Sequence, residues 1–165
     1  MPIREATIYD AVPIALAHIT SSQEAYQHIL SVKEVTNELI ESRSHTWEEF
    51  IRSEETRIYV YKDGHTVIGF IQFGKCRDED LKGEKMGEIW AIYVSPPHWR
   101  AGVGSELMNE ALNEIVRMGF AQVSLWVLKE NKRAIGFYQK IGFRPDGVVK
   151  AHKSKTEAIR MTRRT

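Results

Sequence analysis

The run Arg100-Ala101-Gly102-Val103-Gly104-Ser105 can bind an anion. It follows an apolar stretch, Ile89 to Val94, and the stop Ser95-Pro96-Pro97, and it leads into a helical pattern. Glycines let a backbone come close to a ligand. The first N–H groups of a helix have no partner within it, and the helix dipole favours negative charge there. A pyrophosphate suits such a cradle. The plain alternative is a tight strand-to-helix connection with nothing bound, because short glycine motifs are weak evidence. The Gly-Lys-Ser/Thr ending of a P-loop is absent, and the spacing is not G-x-G-x-x-G.

The elements that must position this turn can be read from periodicity. Ile3 to Ile8 reads as a first strand, and Asp10 as the cap of a helix carrying Val12, Ile14, Leu16 and Ile19. Ser21 to Ile51 reads as mostly helical, with a stripe of Val32, Val35, Leu39 and Ile40. Thr46-Trp47-Glu48-Glu49 has the form of a capping box opening a separate short helix. Arg57 to Tyr61 and Thr66 to Phe73 read as a hairpin turned at Asp63-Gly64. Lys75 to Gly87 reads as a charged, solvated loop, or less favourably as the lip of a substrate site.

Beyond the glycines, Leu107, Met108, Ala111, Leu112, Ile115 and Val116 recur at helical spacing, and Gly119 is placed to end that helix. Val123 to Leu128 is apolar on both faces, as a buried parallel strand should be. Asn131 can cap a last helix that Gly142 ends. A strand from Phe143, a basic loop from Lys150 to Lys155 and a final strand from Glu157 to Thr162 complete the chain. The order is β-α-α-β-β-β-α-β-α-β-β, expected as one α/β domain over residues 1–165 with a βαβ unit at its centre.

Composition narrows the function. The 165 residues include 27% charged and 42% apolar residues with a net charge of +1, so no strong field for nucleic acid or membrane is implied. Cys76 is the lone cysteine, which excludes an internal disulfide and a cysteine metal cluster, and the six histidines show no ligand spacing, so no metal is expected. With no apolar run of membrane-spanning length and no apolar core behind Met1-Pro2-Ile3-Arg4-Glu5, the cytoplasm is the expected location.

Two motifs carry a resemblance. Trp99-Arg100-Ala101-Gly102-Val103-Gly104 resembles motif A of the Gcn5-related N-acetyltransferases, Arg/Gln-x-x-Gly-x-Gly/Ala, with Trp99 in place of the usual Arg or Gln. Asn131 to Phe143 resembles their motif B, N-x-x-A-x-x-x-Y-x-x-x-G-F. Two motifs at matching separation are far more specific than either alone, and the likeness extends from Ile3-Arg4-Glu5-Ala6-Thr7 to the final hairpin.

The resemblance implies the acyl-CoA N-acyltransferase fold, a mixed central sheet with helices on both faces. It implies acetyl-CoA as co-substrate and direct attack by a primary amine in a ternary complex. The acceptor is open: a small amine, a polyamine, an antibiotic, or a peptide or protein amine. Main-chain groups from Trp99 to Ser105 would hold the pyrophosphate. The backbone of Ile92, Tyr93 and Val94 would pair with the pantetheine arm, and Asn131 and Ala134 would flank it. Tyr26 lies in the region that shapes the acceptor pocket in that family and would line it, the alternative being core or rim packing, and a homodimer is allowed.

Acetyl transfer needs a neutral amine, a stabilised oxyanion and a protonated leaving thiol. A primary amine has a pKa near ~10, so on the order of one molecule in a thousand is neutral at pH 7. The resemblance makes Glu88, eleven residues before Trp99, the general base through ordered water. The alternative is a solvated carboxylate at a strand entrance. The resemblance also makes Tyr138 the general acid, and a phenol is protonated at neutral pH. The alternative is a core tyrosine on an apolar helix stripe. Arg100 meets phosphate or faces solvent. Competing functions are a non-catalytic coenzyme A sensor, a transferase for another acyl-CoA, and a nucleotide-phosphate module.

Overall fold

In the chain's structure, a computed structural model, residues 2–26, 35–152 and 156–165 are described. The elements are β1 (Ile3–Glu5), α1 (Ala11–Tyr26), α2 (Asn37–Arg52), β2 (Thr56–Asp63), β3 (Thr66–Lys75), β4 (Met86–Val94), α3 (Val103–Arg117), β5 (Gln122–Leu128), α4 (Lys132–Lys140), β6 (Arg144–Ala151) and β7 (Glu157–Arg164). Their order is the one expected from periodicity. All seven strands form one sheet in the order β1-β2-β3-β4-β5-β7-β6. Among the described residues, only β4 and β5 run parallel, joined by α3 as their crossover. The sheet is therefore mixed.

Strand alternation sends side chains to two cores. On one face α3 lays Val103, Leu107, Met108, Ala111, Leu112 and Ile115 against Ile71, Phe73, Ile89, Val123, Leu125 and Val127. On the other, α1 and Trp47 of α2 cover Ile58, Val60 and Phe70. Each large side chain buried this way contributes about 1.5–3 kcal/mol. Gly69 lets α3 sit close to the sheet: a Cβ there would come within 3.2 Å of Leu107 and 3.3 Å of Val103.

Five expectations are corrected. The first strand stops at Glu5, and Asp10 does not cap α1 from outside it. Asp10 closes a preceding 3-10 turn and is buried, accepting from the Thr7 main-chain N–H at 2.8 Å and pairing with Arg4 at 2.7 Å. Thr46 opens no helix: α2 runs unbroken from Asn37, capped by Thr36, and the Thr46 hydroxyl donates back to the Ser42 carbonyl. Val12 and Leu16 of α1 are exposed, while Ile14 and Ile19 are buried. Of the α2 stripe, Val35 is exposed and Val32 lies outside the described residues, as does part of the Lys150–Lys155 stretch.

The second core holds a titratable group. His18 packs on Tyr93 (4.7 Å between ring centroids), Trp47 (5.7 Å) and Phe70 (6.3 Å). Its Nδ1 is buried without a hydrogen-bond partner among the described residues. Burial, with the charge of Arg43, lowers its pKa to about 4 from 6.5. The unfolded chain therefore binds the proton first as pH falls, so stability is full above pH 6.5 and drains away down to pH 4. The loss from this group should be about 3 kcal/mol, at 1.36 kcal/mol per unit. Denaturant unfolding at several pH values should show this decline in wild type, and His18→Leu should flatten it.

Candidate functional site

The parallel pairing of β4 with β5 covers Met86↔Gln122 to Ile89↔Leu125 and stops. Beyond it β4 stays with β3 as far as Val94, and β5 stays with β7 as far as Leu128. The two strands part between these partners. Ile92 and Val94 join the α3-side core at this opening, whereas Ala91 and Tyr93 face α1. The Val94 carbonyl is already occupied, accepting from the Ser21 hydroxyl at 2.9 Å and the Trp99 indole N–H at 2.6 Å. Hydrogen bonds to a ligand along this segment therefore fall to the other backbone groups.

At the end of β4 the chain makes the glycine turn. Arg100 has φ 65° and Gly102 φ 86°, left-handed positions flanking Ala101. Gly102 is the N-cap of α3, and no side chain caps that helix. Left-handed residues next to a helix start gather N–H groups into a concavity that suits an anion. The cradle thus fits a phosphate. Gly104 also has a packing role. A Cβ there would lie 3.3 Å from the Phe137 ring, so this glycine lets α4 pack beside the start of α3. Arg100, Ala101 and Ser105 are exposed, and Val103 is core.

Helix α4 forms the far side. The Asn131 side chain caps it, accepting from the Ala134 N–H at 3.2 Å. Asn131, Ala134 and Tyr138 share one face by spacing. Tyr138 is 9% exposed, its ring 5.5 Å from Phe137 and 6.0 Å from Phe143. Arg133 lays its guanidinium 3.6 Å over the Trp99 ring.

Glu88 is no solvated carboxylate: it is 1% exposed. Its Oε1 accepts from the Arg77 main-chain N–H at 3.0 Å and from Nε at 3.1 Å, and Oε2 from Nη2 at 2.7 Å. Arg77 also lies 3.9 Å over the ring of Trp90, the extra residue of a bulge opposite Gln72 and Phe73. The charged segment after Lys75 is likewise pinned down. Trp126 donates to Asp78, and the buried Arg160 binds Asp78 (3.2 Å), Asp80 (2.7 Å) and Asp146 (2.6 Å). Burial pushes the Cys76 thiol up, away from the reactive thiolate.

Of the expected site residues, the fold brings Ile92 to Val94, Trp99 to Ser105, and Asn131, Ala134 and Tyr138 around the opening. Glu88 lies below the point of parting. Tyr26 ends α1, and its side chain lies outside what is described. Arg77, Arg133 and Arg160 carry no local signal and went unread. Gln72 could have been noticed as a polar residue inside an apolar strand. It is 3% exposed, and its Nε2 has no partner among the described residues. No cluster of metal-binding side chains occurs among the described residues, and none of their helices is long and apolar enough to cross a membrane.

Comparison with known proteins agrees with this geometry. An uncharacterized N-acetyltransferase, YuaI of Bacillus subtilis, is 28% identical over 83% of this chain and 76% of that protein. Another, MJ1207 of Methanocaldococcus jannaschii, is 31% identical over 61% of this chain but 44% of its own length. The crystal structure of PaiA N-acetyltransferase from Thermoplasma acidophilum in complex with coenzyme A superposes with a TM-score of 0.75, covering 99% of this chain and 98% of that one at 22% identity. The family model described as Acetyltransferase (GNAT) family matches residues 22–143. With most of the chain matched, the protein belongs to the acetyltransferase (GNAT) family.

Proposed function

We propose that the protein transfers an acetyl group from acetyl-CoA to a primary amine in one ternary complex. The observation that carries this reading is the parting of β4 and β5 beyond Ile89 and Leu125, with an uncapped α3 at one end and Tyr138 beside it. The uncapped turn takes the pyrophosphate through main-chain N–H groups. The unpaired backbone of β4 takes the pantetheine arm, and Asn131 and Ala134 flank it. Coenzyme A bound to a protein of the same fold supports the donor. The acetyl carbonyl receives the amine's electron pair, the carbon–sulfur bond breaks, and the Tyr138 phenol gives its proton to the departing sulfur. A main-chain N–H of β4 supports the charge on the carbonyl oxygen.

The amine's proton goes to Glu88 through water. Arg77 holds the Glu88 carboxylate in place, and the burial of Glu88 puts it out of direct reach of the amine, so a water must relay the proton. The acceptor lies on the α1–α2 face, where Tyr93 and Trp90 stand.

The test is release of free coenzyme A thiol from acetyl-CoA, run with a panel of small amines, polyamines, aminoglycosides and peptides. Turnover with one class names the acceptor. Tight binding of acetyl-CoA with no turnover on any class would favour a sensor. In the active assay, Glu88→Gln should slow turnover most at neutral pH and below, and the loss should shrink as pH nears the amine's own pKa. A loss equal at every pH would leave Glu88 as the anchor of Arg77 alone.

A further inference from the structure

Gln72 is the odd residue of β3. It is 3% exposed between Ile71 and Phe73, and its Nε2 has no hydrogen-bond partner among the described residues. Its neighbours across the sheet are Ile58 of β2 and Ala91 of β4, and both belong to the core under α1 and α2. Side chains directly opposite one another share a face, so the Gln72 carboxamide lies on the α1–α2 face. Glu88 lies on that face too. Its partner on β3 is Gly74, two residues from Gln72, while its neighbours in sequence, Gly87 and Ile89, turn toward α3. Gln72 is thus the diagonal neighbour of Glu88, at a separation that two long side chains bridge through one water. We propose that Gln72 holds the water that carries the amine's proton to Glu88.

Position and chemistry both suit this role. The rows of the sheet run in the order Glu88 with Gly74, Ala91 with Gln72, Tyr93 with Phe70. Gln72 therefore stands between the carboxylate and the backbone of residues 92–94 that takes the pantetheine arm. At about 3.3 Å of rise per residue that gap is roughly 10 Å, too long for direct transfer. A buried amide N–H without a partner is costly, and internal waters settle at such groups with about three hydrogen bonds each. The bonds can be named. The water accepts from Gln72 Nε2 with one lone pair and faces the amine N–H with the other. One of its own protons points at Glu88 Oε2, which accepts from Arg77 Nη2, whereas Oε1 already accepts twice. As the amine nitrogen bonds to the acetyl carbon, its N–H proton passes to the water, and the water's own proton passes to Oε2, leaving a neutral carboxylic acid. Gln72 acts through the water and is a positioning residue.

This inference rests on Glu88 being the base, and variants separate the two. Gln72→Met keeps the length of the side chain and removes the N–H. Single-turnover acetylation of the amine used fastest in the panel should slow roughly five- to tenfold at neutral pH, the scale of one hydrogen bond. The loss should shrink as pH rises toward the amine's own pKa, as for Glu88→Gln. Adding Gln72→Met to Glu88→Gln should slow the reaction no further. A crystal structure of wild type with coenzyme A should show a water about 3 Å from both Gln72 Nε2 and Glu88 Oε2. A pH-independent loss, or one that adds fully to that of Glu88→Gln, would make Gln72 merely structural and overturn the inference. Wild-type rates in Gln72→Met would overturn it too, as would a crystal structure without that water, a test that does not depend on the variant folding. If Glu88→Gln loses activity equally at every pH, the base is misassigned and this inference falls with it. The expected profile in Glu88→Gln without its counterpart in Gln72→Met overturns the role of Gln72 alone.

Discussion

Tyr138→Phe should lower turnover by roughly 10²-fold or more while leaving coenzyme affinity and stability close to wild type. The scale is that of a lost general acid. The structure explains why this substitution is clean. Tyr138 is 9% exposed and sits among Phe137 and Phe143, so phenylalanine keeps its ring contacts and loses the hydroxyl alone. A thiolate that leaves as a weaker base needs less proton donation. The defect should therefore shrink with acetyl esters of more acidic thiols. Single-turnover kinetics, which isolate the chemical step from product release, are the measurement. Wild-type single-turnover rates in Tyr138→Phe would reduce Tyr138 to packing.

The largest stability effect should come from Arg160→Met. The methionine replaces the apolar stem but removes the charge that three carboxylates share. Asp78 and Asp146 are mostly covered, with 17% and 22% of their side-chain surface exposed, and would be left facing one another. Removing one partner from a buried ionic cluster costs about 3–5 kcal/mol. Denaturant unfolding should show a loss near the low end, because Asp80 is 57% exposed and can turn to water. Asp80→Asn should cost much less than Arg160→Met, and a loss under about 1 kcal/mol for Arg160→Met, the scale of surface pairs, would mean that the cluster hydrates freely.

Much of the fold could be read because it rests on short-range pattern. The α3 stripe repeats at helical spacing, β5 is apolar throughout, and Asn131 caps α4 as its place before the stripe predicts. The errors also have local causes. Thr46 and Glu49 have the spacing of a capping box, yet they sit inside α2 because Thr36 starts that helix ten residues earlier. A Thr-x-x-Glu pattern marks a helix start only where the helix is not already running. The packing of Gly104 against Phe137 was not legible, because it depends on how two helices meet.

The candidate site was legible where main chain and motif coincide and opaque where distant side chains meet. Arg160 reaches Asp80 across eighty residues of chain, Arg77 reaches Glu88 across eleven, and Arg133 finds Trp99 from another helix. Each is a charged residue that spacing alone would assign to solvent. The charged segment after Lys75 is exposed over most of its length, as its composition suggests, but the partners that anchor it lie in strands that come later in the sequence.

The parting of β4 and β5 has a consequence for solubility. An ordinary open sheet has two unpaired borders, and exposed borders recruit strands from other chains. This sheet has β1 and β6 at its outer limits, and the parting adds two inner borders along β4 and β5. Those inner borders are the more apolar hazard, since they belong to central strands. They face each other across one wedge, so an incoming strand would have to enter edgewise between two strands already fixed by β3 and β7. A thin, amide-bearing chain without side chains meets that restriction; a polypeptide strand with substituents on both faces does not. The same wedge that admits a slender ligand thus protects the molecule from self-association through its own middle.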